Sequence, residues 1–306
     1  MKYLSKKDKV FFLSLIPSSI VLLGILIITV IAISSNSIES LEAFGLNLLA
    51  SSTWDPENGR YGLLAPVVGS IVTSTLAVLT ALILSIPLSI LIAEYLRGSI
   101  RNIFSSIVEL MGGLPTIIYA IWASTYLAPV LKTYIMDPLY RHLSIIPLFS
   151  CRPITGFTVF TAGVSIGISI VPYVTAMVLE AYQSIPLIYK EACLGIGATK
   201  YESIKIMISL AKPAILASLI LGFARSLGET TIAVATIGNS MYLSTCIFSP
   251  GYTVSALIAS QFANAYLYKY AESVLYLSAL VVLFLAILLS FIGLSIIIKW
   301  RGKIVV

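Results

Sequence analysis

Two charged residues stand out by type and place. Arg225 and Glu229 lie in the stretch Ala224-Arg225-Ser226-Leu227-Gly228-Glu229-Thr230-Thr231, inside an otherwise apolar run. Ionisable groups in such a run are costly and mark function by default. Arginine keeps its charge and presents a planar fork of donors that matches the oxygens of a tetrahedral oxyanion. Thr230 and Thr231 add hydroxyl donors if the helix opens beside Gly228. Glu229, four residues past Arg225, shares its helical face. It can neutralise Arg225 when the path is empty, or accept a hydrogen bond from an anion that still carries a proton. A structural reading stands beside these: the two residues pair and hold their helix against a neighbour. One arginine cannot balance a dianion, so an anion path here needs a second cation from a partner.

Other chemistry is missing. The chain has no G-x-x-x-x-G-K-[ST] loop for nucleotide phosphates and no H-E-x-x-H. Its single histidine, His142, has no neighbouring ligands in sequence, so neither a metal nor another cofactor is expected. No Ser–His or paired-aspartate constellation suits hydrolysis. The chain alone is not expected to be an enzyme.

The elements that position Arg225 follow from composition. Of 306 residues, 58% are hydrophobic and 10% charged, against about 25% charged in soluble domains. Mean hydropathy is +1.01. This excludes a disordered chain and a soluble globule, and leaves an all-α integral membrane protein set in lipid. Six runs reach the ~20 residues that a span requires: about 10–34, 67–95, 104–127, 156–182, 213–237 and 273–298. Arg225 is twelve residues past Pro213, or ~18 Å along a helix, near mid-membrane. Glu94, Glu109, Glu180 and Lys212 stand near span ends, where side chains reach water. Gly113, Pro115 and Pro172 lie within spans and mark bends or close helix contacts.

Basic residues set orientation. Lys6, Lys7, Lys9, Arg97, Arg101, Lys190, Lys200, Lys205, Lys212, Lys299 and Arg301 fall on the face carrying both termini, with Lys2 and Lys303. Arg60, Lys132, Arg141, Arg152 and Lys269 fall on the other. The asymmetry predicts both termini in the cytoplasm. The net charge of +6 is therefore read as a topology signal, with no nucleic-acid partner. The organisation is a cytoplasmic N-terminus over 1–9, a first span over 10–34, an external loop over 35–66, a core of five spans over 67–298 and a tail over 299–306. On this topology Cys151 and Cys246 share the oxidising side and can form a disulfide, or remain two small unpaired residues.

The cytoplasmic loop 183–212 is far longer than a helical hairpin needs. Pro186 suits a first helical turn and Gly197 a helix stop. Thr199 and Glu202 have capping-box spacing for a second helix, and Pro213 then opens the fifth span. The apolar face of this helix–corner–helix needs either a partner surface or the lipid headgroups.

Glu191-Ala192, Gly197-Ala198 and Pro213 resemble the "EAA…G…P" loop of ABC importer permeases, with Cys193 where a second alanine is usual. Thr53-Trp54-Asp55-Pro56, Gly112-Gly113-Leu114-Pro115-Thr116, Val171-Pro172-Tyr173 and Arg225-Ser226-Leu227-Gly228-Glu229-Thr230 extend this. Over roughly 40–298 the chain resembles the permease subunits of phosphate ABC importers, the PstC-type member in particular. The resemblance implies a type I importer fold with cytoplasmic coupling helices. It implies a PstA-type second permease, two copies of an ATP-binding subunit docked on Glu191, Ala192, Gly197 and Ala198, and an extracytoplasmic phosphate-binding protein. The cargo would be inorganic phosphate. Rival readings are the same architecture carrying molybdate, tungstate or sulfate, and a self-sufficient anion channel or secondary transporter.

Overall fold

The computed structural model describes residues 6–304; parts of the terminal segments 1–9 and 299–306, with Lys2, lie outside the described residues. Among the described residues, thirteen α-helices follow in order. They are α1 (Lys6–Phe44), α2 (Asn47–Ala50), α3 (Leu64–Ile90, continued by a π-helical turn over Leu91–Tyr95) and α4 (Gly98–Gly113). A rod of α5 (Thr116–Trp122), α6 (Ala128–Leu131) and α7 (Asp137–Leu143) is joined by π-helical turns. After it come α8 (Val159–Gln183), α9 (Leu187–Gly195), α10 (Lys200–Leu227), α11 (Thr231–Thr236), α12 (Val254–Gln261) and α13 (Ala271–Ile304). No strand occurs among the described residues beyond one antiparallel bridge between Asp55 and Arg60.

Among the described residues, five helices are long and apolar enough to cross a membrane: Ser14–Phe44, Leu64–Tyr95, Val159–Gln183, Lys200–Leu227 and Ala271–Gly302. A sixth span exists only if α4 and the α5–α7 rod count as one, and these meet at a 91° bend. The expected third span, 104–127, is therefore not a straight helix. Pro115 disfavours helical backbone at Leu114, whose ψ is 134°. Tyr119 braces the bend by donating to the Met111 carbonyl at 2.8 Å.

The fifth span also differs from expectation. Pro213 does not open it; α10 runs unbroken from Lys200 through Pro213. An internal proline disturbs the carbonyls of the preceding turn. Trp300 Nε1 donates to one of them, Leu210 O, at 2.8 Å. The first span likewise continues past Ser34 to Phe44, and within it Ser40 N and Oγ donate to Ser273 Oγ and O of α13 at 2.9 and 3.2 Å.

The centre of the bundle is the seam between α3 and α8. Ser70, Thr73, Ser74, Ala77, Ala81, Ser85 and Ser89 recur at helical spacing and are buried. Opposite them lie Gly163 and Gly167, four residues apart on α8; a Cβ at Gly167 would meet Thr80 Cβ at 2.5 Å. Small residues let backbones approach where lipid provides no hydrophobic drive between helices. Ser85 and Ser89 then donate across the seam to the carbonyls of Val171 and Thr175 at 3.2 and 3.1 Å. By contrast, α1 is unburied along its most apolar window, which suits a helix facing lipid.

Candidate functional site

The break after α10 is where Arg225 and Glu229 meet the fold. Arg225 sits in the last turn of α10 and is exposed. Its guanidinium carbon lies 5.1 Å from the centroid of the Tyr173 ring on α8, a cation–π arrangement. Gly228 ends the helix, and Glu229 lies beyond it. The expected shared helical face does not exist, because the chain leaves helical register between the two residues. Glu229 Oε1 instead accepts from the Ile232 N–H at 3.3 Å, at the start of α11. Its backbone carbonyl accepts from Ser255 Oγ on α12 at 2.9 Å. Thr230 Oγ1 donates to the Gly228 carbonyl at 3.3 Å, and Thr231 opens α11. The ion pairs among the described residues are Lys132–Asp137, Glu94–Lys190 and Glu180–Arg301. Arg225–Glu229 is not one of them, so the structural pairing reading is not realised.

The segment after α11 is tightly built. Gly238 has φ +88°, and a Cβ there would sit 2.7 Å from Pro250 Cβ and 2.9 Å from the Phe157 carbonyl. Only glycine suits both demands. Ser249 O and Ile247 O accept from Val159 N and Phe160 N at the start of α8. Cys246 is bonded to Cys151, with Cα atoms 6.0 Å apart. A cavity of about 680 Å³ lies between this segment and α3. Its lining, from Val68 to Leu79 and from Tyr242 to Tyr252, is mostly apolar and includes neither Arg225 nor Glu229.

The second site is the helix–corner–helix. Thr199 Oγ1 accepts from Glu202 N at 3.3 Å, and Glu202 Oε2 accepts from Thr199 N at 2.7 Å, closing the capping box. Gly197 takes φ +86° just past α9, as a helix stop requires. Glu191, Ala192 and Gly197 are exposed, Ala198 is half-buried and Cys193 is buried. Leu187, Ile188, Leu194, Ile196 and Tyr201 form an exposed apolar rim. Gly113 ends α4, Pro115 stands at the 91° bend, and Pro172 is buried inside α8, 3.4 Å from where a Cβ on Gly112 would lie.

Sequence reasoning missed a cluster beneath this loop. Glu94, expected to reach water from a span end, is buried, its side chain 4% exposed. Lys190 Nζ contacts both its oxygens at 2.8 and 2.7 Å, and Tyr182 donates to Oε1 at 2.9 Å. Lys200 Nζ donates to the Glu94 backbone carbonyl at 2.8 Å and lies 4.1 Å from the Tyr95 ring centroid. The available signal was a carboxylate in an apolar run, which demands a partner. Lys190 is too distant in sequence to be identified as that partner.

Membrane-length helices packed around a small-residue seam define the class: a multi-pass membrane protein. Residues 85–303 match the family model described as "Binding-protein-dependent transport system inner membrane component", and the chain belongs to this family. It is 42% identical over 273 residues to "Probable phosphate transport system permease protein PstC" of Methanocaldococcus jannaschii, covering 88% of this chain and 87% of that protein. It is 32% identical to "Phosphate transport system permease protein PstC" of Mesorhizobium japonicum, covering 84% and 80%. The fold matches the MetNI methionine ABC transporter in inward-facing conformations at TM-score 0.54 and 16% identity, over 76% of this chain and 95% of that one. The fold is thus that of an ABC importer permease. The relatives are permease subunits rather than enzymes.

Proposed function

We propose that this chain is one of two permease subunits of an ATP-driven importer, and that its cargo is inorganic phosphate. The observation that carries the reading is the 42% identity, across nearly the full length of both chains, to a protein named as a phosphate permease. The geometry supports it. Arg225 is exposed and free of a carboxylate, with the donor fork that phosphate oxygens need. Thr230 and Thr231 stand beside it where the helix opens. Glu229 uses Oε1 for Ile232 N, and Oε2 accepts a hydrogen bond from the P–OH of hydrogenphosphate; sulfate has no such proton at neutral pH. A PstA-type partner completes the path and supplies the second cation. Tight holding in the path would slow release, so affinity resides in the external phosphate-binding protein.

Both termini and the 183–212 loop face the cytoplasm. There the apolar rim of α9, with Glu191, Ala192, Gly197 and Ala198, receives an ATP-binding subunit, one for each permease. The disulfide-bearing segment faces outward, where such a bond persists. The boundaries 1–9, 10–34, 35–66, 67–298 and 299–306 describe this layout, with the first external segment shortened by the part of α1 that runs past Ser34 to Phe44.

Radiolabelled phosphate uptake at low phosphate tests the reading. Cells lacking other phosphate importers take up phosphate with this chain and lose uptake without it. Arg225→Ala at matched expression restores none. Unchanged uptake on removing the chain would move the cargo to another oxyanion.

A further inference from the structure

The Glu94 cluster ties together four elements at one point. Glu94 lies in the π-helical turn ending α3, Tyr182 near the end of α8, Lys190 on α9 and Lys200 in the first turn of α10. In that turn Leu96 N reaches back to Leu91 O at 3.0 Å, the wider spacing that marks a π-bulge and that recurs at functional positions. The rest of α9 has little hold on the bundle: Cys193 is its buried residue, and Leu187, Ile188 and Leu194 are exposed. Lys190 is thus the polar anchor of α9, and its target is the end of the same helix whose seam with α8 forms the centre of the bundle.

We infer that Glu94 is a positioning residue that fixes α9 to α3 and α8, so that displacement of α9 is passed to the α3–α8 seam. This rests on the proposed docking of an ATP-binding subunit on α9 and goes beyond it by naming the joint. Two properties suit the role. A bidentate charge-assisted contact fixes direction as well as distance. A pair whose carboxylate is buried resists separation, which couples the helices that it joins.

The test uses the whole complex in phospholipid vesicles, with ATP inside, binding protein outside and phosphate uptake and ATP hydrolysis read together. Glu94→Gln removes the charge but retains the shape; the double variant Glu94→Gln/Lys190→Met leaves no buried charge and is expected to fold. Both assemble and hydrolyse ATP, and phosphate imported per ATP falls at least about fivefold, the lower end of usual site-to-site coupling. Wild-type stoichiometry in the double variant overturns the inference. So does failure of both variants to assemble, because the cluster then forms the fold rather than transmitting motion. Nitroxides at Tyr189 on α9, outside the apolar rim, and Leu84 on α3 supply a readout independent of cargo: their distance distribution is narrow in the wild type and broadens in both variants. An unbroadened distribution also overturns it. If Glu191→Ala leaves ATPase binding and transport intact, or wild type imports no phosphate, the docking or cargo reading fails separately, and the spin-label distances still decide the joint.

Discussion

Two charged regions of this chain are solved in opposite ways. At Glu94 the charge is buried and every strong acceptor is used: two contacts from Lys190 and one from Tyr182. At Arg225 the charge is exposed, rests on an aromatic face and has no carboxylate, although one stands four residues away. The break at Gly228 makes the difference, since it turns Glu229 into a cap for Ile232. We propose the first as a joint between helices and the second as a contact for the transported anion.

The largest effect tests the joint. Lys190→Met leaves the Glu94 carboxylate buried without its counter-ion, and breaking such a pair costs about 3–5 kcal/mol. Thermal unfolding in detergent should show a marked loss, while Glu94→Gln/Lys190→Met recovers most of it. Equal melting of Lys190→Met and wild type would mean that the pair holds nothing.

Arg225→Ala should behave in reverse. An exposed site without a hydrogen-bonded partner costs within about 0.5 kcal/mol of stability. Transport should nevertheless fall steeply, since a charged hydrogen bond to an anion is worth ~1.5–3 kcal/mol. Phosphate uptake against melting temperature, measured on one preparation, checks both halves. A large melting shift would place Arg225 in the scaffold.

Thr199→Ala probes the ground between the two regions. It deletes one half of the capping box that starts α10 beside Lys200, at a cost of about 1 kcal/mol. Local hydrogen exchange at Ser203 and Ile204 should rise while the α3–α8 seam stays protected. Spread of the faster exchange to α8 would show the loop and the bundle to be a single cooperative unit.

How much of this was legible beforehand divides along physical lines. Long apolar runs gave α1, α3, α8, α10 and α13, because span length is a property of one segment. The capping box and the stop at Gly197 were legible for the same reason: their partners lie within a few residues. Pro115 and Pro213 look alike in sequence and differ in outcome. The first breaks the chain by 91°, whereas the second stays helical with Trp300 donating from ninety residues away. The Glu94–Lys190 joint was invisible for that reason too, since its partners are brought together only by the packing of α3 on α8. Arg225 stood out as a charge within an apolar run, but its relation to Glu229 was misjudged because a helical face was assumed across Gly228.

Glu229→Gln gives the smallest and most discriminating effect. A glutamine keeps an oxygen for Ile232 N–H, so the cap survives and stability changes by a few tenths of a kcal/mol at most. What changes is the second oxygen, which becomes an uncharged NH2 group that donates and no longer accepts. Hydrogenphosphate would lose a charge-assisted bond, whereas sulfate, carrying no proton, would be relieved of a repulsion. The phosphate-to-sulfate uptake ratio should therefore fall from both sides, with phosphate transport declining and sulfate exclusion relaxing. Because the external binding protein also selects, the ratio has to be measured with purified permease complex supplied with each anion at saturating binding protein. An unchanged ratio at unchanged stability would leave Glu229 as a helix cap alone, and the arginine side of the comparison would then rest on Arg225, Thr230 and Thr231.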